Sequence, residues 1–279
     1  MSFKSVVRAA VPRKVRNWLR SPAKTAQWAS DWARYTLGAK MTLPLLPSWS
    51  LVCHPQAYRA IRQAQLDDPE QREEFLHFVE HCRESMLLFD VGAHFGVFSL
   101  AAAHFGGKAV AVDPSPTATR MIAREAALNR CQGSIQIVRA AVSEANGALE
   151  LLEAGVFTYG YYKIARNRSH RELTAVPAVT VDELAKRYGA PTHLKIDVEG
   201  HEAAVLRGSR ITMTESRPVL FLEIHTEMIA ANGDDPGWVV AELNRLGYRI
   251  ASTSGQPCDF DLIRAKPIVR VVARHHESH

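Results

Sequence analysis

Residues 87–113, LLFDVGAHFGVFSLAAAHFGGKAVAVD, are the stretch that decides the fold of this chain. An apolar run ends at Asp90, a turn with two glycines (Gly92 and Gly96) follows, and a helical pattern comes next. A second apolar run ends at Asp113. Strand, glycine turn, helix, strand and acid in this order are typical of the first half of a nucleotide-binding α/β domain.

The glycine spacing indicates which kind of cofactor this turn accepts. Gly92 permits a sharp turn from strand to helix, and Gly96 permits close approach of a ligand or of the helix. The dinucleotide fingerprint G-x-G-x-x-G is absent, because Ala93 and His94 stand where its second glycine would be. A G-x-x-x-G turn suits a cofactor with an amino-acid tail, whose carboxylate can meet free backbone N–H groups at the helix N-terminus.

Two acids flank this turn. Asp113 follows the second strand at the offset from which one carboxylate accepts hydrogen bonds from both hydroxyls of an unphosphorylated ribose. The alternative for Asp113 is a cap of the following helix. Asp90 is expected either to orient the glycine turn or to contact the amine of the cofactor tail.

From residue 86 onward, short apolar runs alternate with helical patterns. Strands separated by helices predict an α/β fold with a mostly parallel, doubly wound sheet that is covered on both faces. A further strand is predicted over 148–153, and the runs 259–263 and 268–272 predict a C-terminal hairpin strand at the sheet. The main predicted strands are 87–91, 109–112, 135–138, 193–198, 219–225 and 248–252, and the predicted helices are 97–104, 116–129, 181–188, 202–207 and 238–246.

The positive charge of the chain is concentrated at its N-terminus. The 279 residues carry a formal net charge of +5, and residues 1–40 hold nine Lys or Arg residues and one acid. The rest of the chain is therefore slightly acidic, which argues against a nucleic-acid partner for the main domain. We predict a basic, α-helical N-terminal extension over residues 1–85, with a connection at 41–52, followed by the main domain over 86–279.

The basic arm, residues 1–40, carries an aromatic stripe (Trp28, Trp32 and Tyr35) on one face of a predicted helix. Two interpretations stay open: the stripe packs on the main domain, or the arm lies on an anionic membrane surface. No apolar run reaches the roughly 18–20 residues of a membrane span, and four cysteines without metal-ligand or C-x-x-C spacing favour a reducing compartment. The sequence thus predicts a cytoplasmic protein, with peripheral membrane contact as the alternative for the arm.

A second group of polar residues ends two later strands. The run LKIDVEGHE (194–202) places Asp197 at a strand end, before a glycine turn into a helix. The run VLFLEIH (219–225) ends with Glu223 and His225. Because the carboxyl ends of parallel strands line one crevice, we expect these groups to lie close to the acids that flank the first glycine turn, as in an active site.

The candidate catalytic residues are Asp197, His201, Glu223 and His225. The ordinary pKa of histidine suits a general base, and the carboxylates can also take a proton. The alternative is that the carboxylates, with Glu199 among them, hold a divalent cation through oxygen ligands; only the clustering of carboxylates indicates such a metal. Lys195 lies inside an otherwise apolar strand and is expected to pair with a carboxylate.

Taken together, these segments resemble the FkbM-type methyltransferase family over about residues 86–250. The matching segments are FDVGAHFGVFSL (89–100), VDPSP (112–116), AAVSEANGALEL (140–151), VTVDEL (179–184), LKIDVEGHEAAVLRG (194–208) and RPVLFLEIH (217–225). The resemblance implies a class I methyltransferase with a Rossmann-like, seven-stranded sheet and S-adenosylmethionine as cofactor. It also implies O-methylation of a hydroxyl on a sugar, a glycan or a secondary metabolite.

The resemblance also implies roles for individual residues. It implies that Gly92, Gly96 and Asp113 bind the cofactor and that the backbone around Ala141 lies near the adenine. Asp90 and His94, on the same turn, are the other two predicted cofactor-binding residues. The family usually has Asn at the position of His94. Residues 155–171, which are rich in aromatic and basic side chains, lie between predicted strands, where a loop that binds a small-molecule or glycan acceptor would be expected; the alternative is a mobile, solvated loop.

Three other functions compete with this interpretation. An NAD-dependent oxidoreductase would use Asp113 equally well, but the dinucleotide fingerprint is missing. An N-methyltransferase of nucleic acid or protein commonly carries a polar-Pro-Pro-aromatic run, and no such run occurs in the sequence. A non-catalytic protein that keeps the cofactor fold while its basic arm recruits a membrane or partner is the third, and the intact Gly92, Gly96, Asp113 and Asp197 argue against it.

Overall fold

The computed structural model describes residues 30, 33, 39–153, 162–164, 173–258, 263 and 265–277. The aromatic stripe of the arm and most of the residues 155–171 and 259–263 lie outside this part of the chain, so the predictions made for them stay predictions. Within the described part, no helix is both long and apolar enough to span a bilayer. Cys53, Cys82 and Cys131 are free thiols.

The described residues form thirteen strands, nine helices and one π-helical turn, Gln63–Asp67. The strands are β1 (Met41–Leu46), β2 (Trp49–Cys53), β3 (Leu87–Val91), β4 (Lys108–Val112), β5 (Ile135–Val138), β6 (Ala141–Val142), β7 (Gly147–Glu153), β8 (Tyr162–Ile164), β9 (Leu173–Val179), β10 (His193–Ile196), β11 (Val219–His225), β12 (Tyr248–Ser252) and β13 (Ile268–His275). The helices are α1 (Pro55–Arg62), α2 (Pro69–His81), α3 (Val97–His104), α4 (Pro116–Leu128), α5 (Val181–Tyr188), α6 (Glu202–Arg207), α7 (Arg210–Glu215), α8 (Thr226–Ala231) and α9 (Pro236–Arg245).

Seven strands form the central sheet in the order β12-β13-β11-β10-β3-β4-β5. Only β13 runs antiparallel to its neighbours. This is the Rossmann-like, doubly wound sheet of the class I methyltransferase fold, and it confirms the predicted fold class. The strand order reverses between β3 and β10, and ligands of such sheets bind in the crevice outside the carboxyl ends at that switch point.

The sheet separates two apolar cores because successive side chains of a strand point to opposite faces. In β3, Leu88 packs into one core and Phe89 into the other, and both are fully buried. The first core also takes Phe75 and Phe78 of α2, while the second takes Leu206 of α6. Both faces are therefore covered, which is why the central strands are continuous apolar runs.

The helices begin where the sequence offers a cap. The side chains of Asp68, Ser115 and Thr180 accept hydrogen bonds from backbone N–H groups in the first turns of α2, α4 and α5. Pro69 and Pro116 directly follow two of these caps, at a position where the missing N–H of proline is of no consequence. These local signals explain why the predicted starts of α4 and α5 agree with the structure.

Residues 41–53 correct one prediction, because they form a β-hairpin instead of the predicted connection. Pro44 lies within β1, and a pair of strands with free edges tolerates a residue that has no N–H to donate. Leu43, Leu45 and Leu51 are buried in the same core as α2 and the sheet. The part of the predicted extension that the structure describes from residue 41 onward therefore shares a core with the sheet.

Further differences concern short elements. The strand predicted over 193–198 ends at Ile196, shortly before the backbone bends at Glu199 and Gly200, both of which have positive φ. Helices α7 and α8 were not predicted; each has only six residues, too short for a clear helical pattern. The extra strand predicted over 148–153 is β7, and it belongs to a second sheet with the order β6-β9-β7-β8.

Candidate active site

Two cavities lie at the switch point of the sheet, one on each side of the turn after β3. The larger has a volume of about 630 Å³ and the smaller of about 110 Å³. Gly92, His94 and Asp197 line both. The three residues come from the two segments that the sequence singled out, so these segments meet where the two cavities join.

Gly92 is the tightest point of this junction. Its φ is +81°, and a Cβ at this position would lie 1.8 Å from the backbone carbonyl oxygen of Asp197. Its N–H and that of Ala93 both donate to the carbonyl of Val112, at 2.9 and 3.1 Å. Only glycine therefore allows the turn after β3 to lie between the ends of β4 and β10.

Asp90 holds the start of α3 in place. Its Oδ2 accepts hydrogen bonds from the backbone N–H and the hydroxyl of Ser99, at 3.1 and 2.6 Å. Burial raises the pKa of Asp90. Of the two expected roles, orientation of the glycine turn is thus the one that the contacts show, and Asp90 also lines the larger cavity.

Asp113 lies at the end of the smaller cavity. Its Oδ1 accepts from the backbone N–H of Ser115 at 2.8 Å, and its Oδ2 accepts from that of His94 at 3.0 Å. Burial outweighs these hydrogen bonds and raises the pKa of Asp113 to about 7. Each carboxylate oxygen offers about two acceptor sites, so both oxygens can still accept from a hydroxyl of a ligand.

His94 adopts a left-handed backbone conformation, with φ +50°. Asn, Asp and His are enriched among the non-glycine residues that adopt it, which explains how His can replace the Asn that is usual in the family. Burial lowers the pKa of His94 to about 4. The ring is therefore neutral at pH 7, and its backbone N–H, not its charge, is what the structure offers to Asp113.

Apolar residues form most of the smaller cavity. Those that line it are Val112, Pro114, Ala140, Ala141, Val142, Leu149, Leu151 and Val198. Ala141 lies here as well, and its place near an adenine stays a prediction. His201 also lines this cavity, and its Nε2 lies 3.0 Å from the hydroxyl of Ser143. A flat apolar slot that ends in a carboxylate has the chemistry to bind an adenosyl group.

A buried ion-pair network forms the floor of the larger cavity. The Lys195 ammonium lies 3.1 Å from Glu74 Oε1 of α2 and 3.1 Å from Glu223 Oε1. Arg270 of β13 lies 2.9 Å from Glu223 Oε2. Burial alone would raise the pKa of Glu223, but the charges of Lys195 and Arg270 outweigh it and lower that pKa to about 2.

His225 lies behind Asp197, between two carboxylates. Its Nδ1 lies 2.7 Å from Glu202 Oε1, and its Nε2 lies 3.8 Å from Asp197 Oδ1. Burial alone would lower the pKa of His225, but the hydrogen bond to Glu202 and the charge of Asp197 outweigh it and raise that pKa to about 9. The ring is therefore an imidazolium at pH 7, which makes it a stabilising charge and not a base.

Asp197 is the candidate catalytic residue with the best access to the cavities. Its side chain is 36% exposed, whereas that of His225 is 4% exposed. Burial and the charge of Glu223 raise the pKa of Asp197, against the charges of Lys195 and His225. A carboxyl with a raised pKa at the junction of two cavities is suited to accept a proton.

Within the described residues, Asp197, Glu223 and His225 are the one group whose ligand atoms lie close enough together to hold a metal ion, within 4.8 Å. The chemistry of this group does not suit a divalent cation. Glu223 is already neutralised by Lys195 and Arg270, and His225 is protonated. A metal ion here would have to displace Lys195 and Arg270 from Glu223 and a proton from His225.

Three site residues were not singled out in the sequence. Glu74 comes from α2, about 120 residues before its partner Lys195, and Gln65 of the π-helical turn lines the larger cavity. Glu202, fully buried against His225, follows Gly200 on the helix that the sequence did predict. An acid two residues after a glycine turn is a weak signal, and for Glu74 and Gln65 the sequence contains none.

Comparisons with known proteins agree with this geometry. The family model described as the methyltransferase FkbM domain matches residues 90–250. A hexuronic acid methyltransferase from Haloferax volcanii is 24% identical over 149 residues, which cover 53% of this chain and 59% of that protein. The chain thus spans less than two thirds of the length of this curated relative.

Two solved structures are similar to part of this chain. An FkbM methyltransferase from Methylobacillus flagellatus KT is 14% identical, with a TM-score of 0.47, over 79% of this chain and 54% of that chain. A precorrin-6y C5,15-methyltransferase from Geobacter metallireducens GS-15 is 13% identical, with a TM-score of 0.44, over 76% and 91% of the two chains.

Proposed function

This chain belongs to the FkbM methyltransferase family, and we propose that it transfers the methyl group of S-adenosylmethionine to a hydroxyl oxygen of a sugar. The observation that carries the proposal is the junction of two cavities at Asp197. An apolar slot that ends in Asp113 lies on one side, and a larger polar cavity lies on the other. The sugar is supported by the curated relative, which acts on a hexuronic acid by its name.

The residues of the smaller cavity match the adenosyl half of this cofactor. Asp113 would accept from the two ribose hydroxyls, and the apolar slot around Ala141 would take the adenine. The turn of Gly92 and Gly96 would take the amino-acid tail at the start of α3, which Asp90 holds in place. When bound, the cofactor supplies a methyl group that its sulfonium already activates, so the protein need only position the acceptor and take its proton.

Asp197 is the residue that we assign as general base. It lines both cavities, so a hydroxyl in the larger one can donate a hydrogen bond to its carboxylate. As the oxygen takes the methyl group, its proton passes to a carboxylate oxygen of Asp197. Orientation of the two reactants in this way can contribute about 7–11 kcal/mol to the barrier reduction.

The other predicted catalytic residues act around Asp197. His225, fixed by Glu202, places a positive charge 3.8 Å from the carboxylate, so we assign it as a positioning residue. Glu223 fixes Lys195 beneath the larger cavity. His201 lies with the adenosyl slot, where it can contact the cofactor and not the acceptor.

Calorimetry with S-adenosylhomocysteine, with NAD as the competing ligand, tests the cofactor. Micromolar binding of S-adenosylhomocysteine that is lost in Asp113→Ala is expected. Binding of NAD alone, or binding of neither by the folded protein, would contradict the proposal.

Transfer of a labelled methyl group to a panel of sugars tests the reaction. Asp197→Asn keeps the shape of the side chain and removes the base, so kcat should fall about 10²–10⁴-fold with little change in cofactor affinity. Glu215→Gln, which changes an exposed carboxylate of α7, is the matched control and should keep full activity. Equal kcat values for the wild type and Asp197→Asn would remove Asp197 from the mechanism.

A separate proposal concerns the basic arm. Residues 1–40 are proposed to contact an anionic membrane surface, and the charge of the segment supports this. Flotation with anionic liposomes should retain the full chain and release a chain without residues 1–40. Equal flotation at low salt would contradict it.

A further inference from the structure

Half of the residues that line the larger cavity come from residues 60–74, which we call the acceptor wall. This segment comprises the end of α1, the π-helical turn and the start of α2. It lies before the residues that the family model matches, 90–250. The cavity that would take the acceptor is thus bounded by residues that the family resemblance does not describe.

The π-helical turn brings one unusual side chain to this cavity. Gln65 is 3% exposed and lines the cavity, and its Oε1 has no hydrogen-bond partner among the described residues. A buried acceptor that stays unpaired destabilises the folded protein, because it has lost its hydrogen bonds to water. Short π-helical turns are rare and frequently lie at functional sites. A donor on a bound ligand would relieve this destabilisation.

The charged groups along the cavity point to the same kind of ligand. Asp67 and Asp68 line it from the acceptor wall, and Asp197 lines it from the sheet. Lys195 is the only Lys or Arg among the described lining residues, and Glu74 and Glu223 already surround it. An acceptor with its own carboxylate would find acids and no available cation here, whereas hydroxyl and ammonium groups would find acceptors.

Resting on the proposed function, we infer that the acceptor wall selects a sugar that presents hydroxyl or ammonium donors and carries no carboxylate. Gln65 Oε1 is the acceptor that binds such a donor, and Asp67, whose carboxylate lies 3.5 Å from the Arg62 guanidinium, forms part of the rim. This chain would then differ in its acceptor from the relative named for a hexuronic acid.

Three glycosides with one ring shape test this selection: methyl glucoside, methyl glucosaminide and methyl glucuronide. Their affinities for the full chain, saturated with S-adenosylhomocysteine, can be ranked by saturation-transfer NMR, which needs no turnover. The glucoside and the glucosaminide are expected to bind at least tenfold more tightly than the glucuronide.

Two variants test whether residues of the acceptor wall cause this selection. Gln65→Leu should weaken binding of the glucoside at least fivefold, while Gln136→Leu, at an exposed position of β5, should leave it unchanged. Asp67→Lys reverses one charge at a half-exposed site, so this variant should fold even if Gln65→Leu does not. It should reduce the difference in affinity between the glucoside and the glucuronide.

The inference is overturned if the glucuronide binds as tightly as the glucoside, if both folded variants keep the wild-type order, or if none of the three sugars binds. The reaction is judged separately by cofactor calorimetry and labelled methyl transfer. A protein that ranks the sugars as expected but transfers no methyl group would remove the proposed function and leave the selection by the acceptor wall intact.

Discussion

The two cavities that meet at Asp197 are built in different ways. Every residue that lines the smaller one lies within residues 90–250, mainly at strand ends and in the turns that follow them. The larger one takes half of its lining from residues 60–74, which reach it by packing α1 and α2 on the sheet. The cofactor side is therefore set by local sequence, and the acceptor side by contacts between distant segments.

The largest effect that tests this comparison is expected from Lys195→Met, which removes the central charge between the two segments. Glu74 and Glu223 would stay buried without their shared cation, and breaking such a buried pair costs about 3–5 kcal/mol. Urea unfolding at pH 7 measures the loss. Glu223 has a pKa lowered to about 2 in the folded protein, so its stabilisation is present above its unfolded pKa and lost on acidification. The deficit of the variant should therefore shrink as the pH falls below about 4.

The matched control is Arg187→Met, which removes an exposed ion pair with Glu183 one turn away on α5. Exposed pairs of this kind contribute about 0.3–0.5 kcal/mol. A similar small loss for Lys195→Met would mean that the network does not couple the acceptor side to the sheet.

Gly92→Ala is expected to damage both cavities, since this glycine lines each of them. The left-handed backbone costs about 1–2 kcal/mol for alanine, and moving the carbonyl of Asp197 costs about 1–3 kcal/mol more. We expect a loss of about 2–5 kcal/mol in the free energy of unfolding, together with at least tenfold weaker binding of S-adenosylhomocysteine. Gly133→Ala, where a Cβ would meet nothing within 4 Å, should change the free energy of unfolding by less than about 0.5 kcal/mol. Unchanged cofactor affinity in a folded Gly92→Ala protein would show that the substitution does not damage the smaller cavity.

We expect cofactor binding to depend on pH through a group of the smaller cavity alone. Asp113 has a pKa of about 7 before binding, and the ribose hydroxyls need its charged form, so affinity rises as the proton leaves. Between pH 6 and 8 the affinity for S-adenosylhomocysteine should rise about tenfold, which is about 1.4 kcal/mol. Asp113→Asn should abolish this slope in calorimetry, and an unchanged slope would place the titrating group elsewhere.

The smallest effect is expected at the edge of the acceptor side. Asn129, after α4, accepts from the backbone N–H of Val52 at 3.0 Å and donates to its carbonyl at 2.7 Å, so it ties the hairpin to the sheet domain. Asn129→Ala should lower the free energy of unfolding by about 1 kcal/mol. Cofactor affinity should stay at the wild-type value, and a parallel loss of affinity would show that the hairpin supports the smaller cavity as well.

The comparison also explains which parts of the protein the sequence could predict. Strands β3, β5, β11 and β12 and helices α3, α5 and α6 agree with their predicted bounds, because each is a short apolar run or helical pattern between clear turn signals. The gathering of Asp90, Asp113, Asp197 and Glu223 at one edge follows from the parallel sheet alone. These features need only local pattern and one topological rule.

The features that the sequence did not predict depend on contacts between residues that are far apart along the chain. Lys195 was expected to pair with a carboxylate, and it does, but no local pattern identifies Glu74 as a partner. The hairpin was missed because Pro44 and Pro47 are typical of a linker, whereas in the structure Pro44 lies on a free edge. The charged state of His225 depends on Glu202, which reaches it only in the folded protein.

The pairing of Glu74 with Lys195 has a consequence for how the chain is made. A ribosome that adds ~5–20 residues per second releases α2 about 120 residues, or roughly 6–24 s, before the strand that carries its partner. During that interval Glu74 has no Lys195 to pair with and Phe78 has no Phe221 of β11 to pack against, although β3 and α3 have already been made. The acceptor side is therefore translated early but completed late, so the inner face of α2 in the nascent chain stays incomplete until β10 and β11 are made.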